Sequence, residues 1–226
     1  MTTSGDNNHG FWRTFRLEIL QGPSDWVSQS AYDDPDEGTT QLSCLLQAIS
    51  NTDAWEKISS LTSSTCGDVF WEAYDRPNSL DLATMENAFN NLGTLDVKVL
   101  NVSEQARFQI SIGHLARFLN LATELTSLAL CFQDPEIEDS TTYCNLHPDF
   151  RDLLHNVQWP KVQHLTLSTA TKGMSLIRFL KNQASSLRHL EFGTYSLTWH
   201  GTWAGVIQEL PRVLSLDRFD FFERSE

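Results

Sequence analysis

One spacing, apolar-x-x-apolar-x-apolar, recurs through the second half of this chain and limits its fold more than any other feature. It occurs at Leu125-x-x-Leu128-x-Leu130, Val162-x-x-Leu165-x-Leu167, Leu187-x-x-Leu190-x-Phe192 and Leu216-x-x-Phe219-x-Phe221. The middle positions lie 37, 25 and 29 residues apart, a period in the range that marks stacked structural repeats. A looser copy, Val97-x-x-Leu100-x-Val102, stands 28 residues before Leu128. The last two apolar positions of each copy are two apart, which puts them on one face of a short strand.

Between copies the apolar period lengthens to that of a helix buried along one side. The stripes are Leu42, Leu45, Leu46, Ile49; Leu82, Met85, Phe89, Leu92; Ile112, Leu115, Leu119; Phe150, Leu153, Leu154, Val157; Ile177, Leu180, Ala184; and Trp203, Val206, Ile207, Leu210. Pro148 suits a first helical turn, and Pro211 is expected to stop the last helix. Six helices then separate up to seven strands, with Phe15–Ile19 and the segment around Ile58 and Leu61 as the first two. A helix between successive strands imposes parallel pairing, because a parallel crossover needs a dozen or more residues. In a doubly wound sheet the central strands would be apolar on both faces and a glycine-rich phosphate turn would be common. Here Ser127, Ala129, Thr166, Ser168, Glu191 and Asp220 interrupt the strands, and no Gly-x-Gly-x-x-Gly occurs. The expected fold is therefore α/β, a leucine-rich-repeat-like solenoid arc with parallel strands on the concave face and helices on the convex face. Residues 1–54 are expected to form an irregular N-terminal cap with a weak first repeat, and residues 55–226 one continuous arc.

The stretches Ser186-Leu-Arg-His-Leu-Glu-Phe192 through Leu197, Trp203-Ala-Gly-Val-Ile-Gln-Glu-Leu-Pro211 and Leu214-Ser-Leu-Asp-Arg-Phe219 resemble the C-terminal repeats of fungal F-box and leucine-rich-repeat proteins. Similar wording recurs at Leu125 to Phe132 and Val162 to Ser168, so the resemblance covers roughly residues 80–226. It implies protein binding by the repeats, in substrate recruitment for ubiquitin ligases. That family usually opens with an F-box, a helical module that docks on the ligase adaptor. Residues 1–50 show no Leu-Pro-rich opening of that kind, so adaptor docking is not an expected property of this sequence.

Charge narrows the partners. The chain has 16 Lys and Arg against 29 Asp and Glu, a net charge of −13, the wrong sign for a phosphate backbone, and nucleic acid is not an expected partner. Residues 1–100 carry 15 acids and 5 bases, residues 101–226 carry 14 and 11, so the excess is mostly N-terminal. No apolar stretch approaches membrane-spanning length, and Met1 to Gly10 has no signal-peptide apolar core, so no membrane association is expected. Cys44, Cys66, Cys131 and Cys144 are too few and scattered for a disulfide framework, which fits a cytoplasmic or nuclear protein. The acidic runs Asp33-Asp-Pro-Asp-Glu-Gly38 and Asp134-Pro-Glu-Ile-Glu-Asp139 read as exposed loops without calcium-loop spacing.

Parallel strands stacked in register would place their polar positions in columns about 4.8 Å apart between neighbours. The sequence writes them as Val99, Ser127, His164, His189, Arg218; then Asn101, Ala129, Thr166, Glu191, Asp220; then Ser103, Cys131, Ser168, Gly193, Phe222. The C-terminal ends of these columns, His164, Thr166, His189, Glu191, Arg218, Asp220 and Phe222, form the expected recognition patch for a protein partner. They mix both charges with imidazoles and an aromatic ring, the residue types that carry interface energy. Trp199, in a loop before a helix, is the expected exposed aromatic; the other six tryptophans are expected in the core or cap.

Catalysis has little to stand on. No Gly-x-Ser-x-Gly elbow and no phosphate-cradling Walker loop occurs. Cys66 has no basic sequence neighbour to activate it, and Cys144-x-x-His147 is half of a zinc spacing without its partner half. His164, His189 and Glu191 could offer zinc an imidazole and carboxylate set. The expectation is a non-catalytic module with no cofactor and no metal; the alternative is a small metal-dependent or thiol enzyme on the same scaffold.

Overall fold

The computed structural model describes residues 15–19, 58–67, 86, 88–100, 105–133, 153–154, 157–168, 173–193 and 203–222. These form strands β1 (Phe15–Ile19), β2 (Ile58–Gly67), β3 (Thr94–Leu100), β4 (Ser127–Gln133), β5 (His164–Ser168), β6 (His189–Gly193) and β7 (Arg218–Phe222). Between them lie helices α1 (Gln105–Leu121), α2 (Gly173–Asn182) and α3 (Trp203–Val213). Shorter helical pieces at 88–90 and 153–154 fall on the stripes of Phe89 and of Leu153 and Leu154. The predicted helix over Leu42 to Ile49, both acidic loops and the Cys144 to His147 segment lie outside the described residues.

All seven strands pair in parallel, in sequence order from β1 to β7. The molecule is thus an α/β protein in which each strand is added beside the one before it. The four repeated spacings from Leu125 onward each have a strand on them, and their middle positions sit side by side in a column that continues back into β3 and β2: Leu61, Leu95, Leu128, Leu165, Leu190 and Phe219 are consecutive register partners. All but Phe219 are at most 3% exposed.

A backbone device repeats with the leucines. The carbonyl two residues before each central apolar residue accepts two successive N–H groups from the start of the next repeat. Gly93 accepts from Thr126 and Ser127, Thr126 from Gln163 and His164, Gln163 from Arg188 and His189, and Arg188 from Asp217 and Arg218, all at 2.8–3.2 Å. Ser59 accepts from Gly93 at 2.8 Å. Each strand is thereby started by its predecessor, and these peptide groups at the turns are matched rather than buried alone.

The strands alternate. Leu95, Val97, Val99, Leu128, Leu130, Phe132, Leu165, Leu167, Leu190 and Phe192 point into the core, which they share with Ile112, Leu115, Phe118 and Leu119 of α1, Leu176, Ile177, Phe179 and Leu180 of α2, and Val206 and Leu210 of α3. The helix residues recur at three and four, so one stripe of each helix meets the sheet. Trp159 fastens the middle of this core. Its ring is fully buried, its Nε1 donates to the Leu119 carbonyl at 2.9 Å and its N–H to Gln183 Oε1 at 3.0 Å, while Gln183 Nε2 donates to the Val157 carbonyl at 3.1 Å.

Two expectations need correction. In the observed register of β3, Thr94, Asp96 and Lys98 share the columns of Ser127, Ala129 and Cys131. Val99, expected on the polar face, is fully buried in the core. The repeat copy in use is Leu92-Gly-Thr-Leu95-Asp-Val97, five residues before the looser spacing, and the double bond to the Gly93 carbonyl fixes that frame. Pro211 does not stop α3, which runs on to Val213 with the Leu214 N–H donating to the Leu210 carbonyl at 2.9 Å. Pro211 removes the bond to the Ile207 carbonyl and crowds it, but Ile207 is on the exposed side of the helix, and two residues beyond the proline the helix still closes.

Candidate functional site

The second face of the sheet stays open where β5, β6 and β7 lie side by side. Each strand there has two outward positions, two residues apart and so roughly 6.6 Å along the chain. The first row is His164, His189 and Arg218; the second is Thr166, Glu191 and Asp220. Together with the Leu165 and Leu190 backbones they line a shallow groove of about 260 Å³.

Within the groove the side chains order one another. The His164 and His189 rings stack with centroids 4.6 Å apart and planes 26° from parallel. Parallel strands in register make that stack, since the strand spacing of about 4.8 Å falls in the centroid range of offset-stacked rings. His189 Nδ1 is buried and has no hydrogen-bond partner among the described residues. Glu191 and Asp220 are direct cross-strand neighbours, a like-charge pairing that costs stability. Each carboxylate is offset by its own donor: Thr166 Oγ1 donates to Glu191 Oε2 at 3.0 Å, and Arg218 Nε to Asp220 Oδ2. The result is a row rich in nitrogen donors beside a row ending in two carboxylates, held apart by a fixed spacing.

Six of the seven residues expected at the recognition patch are therefore brought together. Phe222 pairs with Gly193 at the same end of β7, with its side chain outside the described residues; Trp199 lies outside them altogether. In β5 and β6 the third column is not an open surface, as Ser168 is 8% exposed and Gly193 is buried. Sequence reasoning missed Thr94, Asp96 and Lys98, which continue the two open rows and begin the third on β3. Their signal was present in Leu92-x-x-Leu95-x-Val97, but the overlapping spacing from Val97 hid it.

The features considered for chemistry remain apart. Cys66 pairs with Val99 in β2, beyond a register shift, and is five strands from the end of the sheet that carries the groove. Among the described residues no three His, Cys, Asp or Glu side chains are grouped to hold a metal ion, and the stacked imidazoles lie ring on ring. No described helix is long and apolar enough to cross a membrane. Compared with protein-family models, with curated proteins and with solved structures, the chain matches none.

Proposed function

We propose that this chain is a leucine-rich-repeat-like arc, strands on its concave side and helices on its convex side, that binds another protein on the polar strand face. The carrying observation is the groove of β5 to β7, where two ordered rows of opposite character are exposed over an otherwise closed core. An extended curved sheet face suits a protein surface, since successive repeats add contacts without new folds. Charged and aromatic nitrogen groups held in place before binding lower the ordering cost of the interface. His164, His189 and Arg218 would meet acidic or carbonyl groups of the partner, and Glu191 and Asp220 its basic or amide groups. The family resemblance of residues 80–226 extends the proposal to substrate recruitment for a ubiquitin ligase.

The test is capture with the full chain as bait, comparing wild type with the double variant His189→Ala and Arg218→Ala. Both side chains stand outside the buried core, so the melting temperature should stay within a few degrees while partner recovery is abolished. Equal recovery by the double variant would place the interface elsewhere. Stoichiometric bound metal, or turnover lost on Cys66→Ser, would instead favour the enzyme reading.

A further inference from the structure

The sheet ends at β7, and among the described residues no strand pairs with its outer edge. Such an edge is a template for another strand. Apolar surface lies on the edge strand itself: Phe221 is 41% exposed. Phe221 also belongs to a ring cluster with Trp203 at 4.8 Å and Phe219 at 5.0 Å, and Phe192 joins it at 5.4 Å from Trp203. A rigid aromatic end next to an open edge can receive a neighbour without rearranging.

The charges on β7 say which neighbour fits. Arg218 and Asp220 flank Phe219 on the open face, with side chains 68% and 38% exposed. When two copies of this strand run antiparallel and are centred on Phe219, Arg218 of each stands opposite Asp220 of the other. The two-fold axis makes that pair twice, and Phe219 meets its own counterpart on the core side. Centring on Asp220 would set two carboxylates face to face, which cross-strand pairing disfavours. The strand is thus self-complementary in one register. The acid-rich residues 1–100 supply β1, β2 and β3 at the other end of the sheet, so copies joined through β7 keep those ends apart.

We propose that the outer edge of β7 is a homodimer site, joining two copies antiparallel into one continuous sheet with paired Arg218 and Asp220. The two polar faces then lie on the same side, and each groove ends at the two-fold axis beside its twin.

Sedimentation analysis of the full chain tests this. Wild type is expected to dimerise, while Arg218→Asp and Asp220→Arg, each placing like charges opposite one another, should each weaken the dimer about tenfold or more. An equal mixture of the two variants should recover wild-type affinity as a heterodimer, because the two acidic side chains of one chain then face the two basic side chains of the other while neither chain holds its internal pair. The exchanged chain, Arg218→Asp with Asp220→Arg, should dimerise alone, and it keeps the internal pair if either single variant folds poorly. A wild-type chain that stays monomeric up to about 100 μM overturns the proposal. So does a dimer that both single reversals leave intact, or a mixture that fails to recover.

Discussion

Gln183 takes part in two of the buried side-chain hydrogen bonds among the described residues. It is 1% exposed at the end of α2, and it serves both the Trp159 N–H and the Val157 carbonyl. Gln183→Leu keeps the volume and removes both partners, leaving two buried backbone groups unmatched at about 1–3 kcal/mol each. Urea denaturation should therefore show a loss of roughly 2–6 kcal/mol, and a loss below about 0.5 kcal/mol, the size of a surface change, would contradict this role. Trp159 was expected, with five other tryptophans, in the core or the cap, and it lies in the core. Gln183 was not expected there. In the run Lys181-Asn182-Gln183 it looks like the solvated end of a helix, and only the fold brings the Trp159 loop across it. His189 has the same lesson in the groove: its place in a column could be read from spacing, but the ring stack with His164 depends on the register of two strands.

At the scale of the element, β3 decides between two frames that the sequence satisfies equally. Leu92-x-x-Leu95-x-Val97 and Val97-x-x-Leu100-x-Val102 have the same pattern, and an odd offset exchanges the two faces of a strand. The hydrogen bonds of Thr126 and Ser127 to the Gly93 carbonyl select the first frame. The consequence is measurable. Val99→Ala should cost about 2 kcal/mol by lost burial and the cavity left behind, while Lys98→Ala should change stability by less than about 0.5 kcal/mol. Thermal or urea unfolding of both variants checks it, and the reverse order would restore the other frame. The strands β4 to β7 were legible because one strong spacing, without a competing frame, marks each of them. Helix α3 was legible in its stripe and misjudged at its end, since Pro211 takes only the Ile207 carbonyl out of the helical ladder, at an exposed residue, and the chain continues helical to Val213.

For the whole molecule, sequential parallel order makes each repeat depend on its neighbours alone. Leu128 packs in a column between Leu95 and Leu165, so Leu128→Ala should cost roughly 2–5 kcal/mol and expose amides of β3 and β5 along with β4 in hydrogen exchange. Protection lost only in β4 would argue against nearest-neighbour coupling. The net charge of −13 is unevenly spread along the sequence, with 15 acids against 5 bases in residues 1–100, whereas β5 to β7 carry the two imidazoles and Arg218. The parallel α/β order could be read from strand and helix spacings that alternate along the sequence, whereas the groove needed three separate strands to be brought into register. The most direct test of the central claim, that this strand face is the binding face, is site-specific photo-crosslinking. A crosslinking residue placed at Thr166 in the groove is compared with one at Arg178, exposed on α2, during partner capture. Crosslinks from position 166 and none from 178 are the predicted result; a partner that crosslinks from 178 alone would put recognition on the helices and contradict the account.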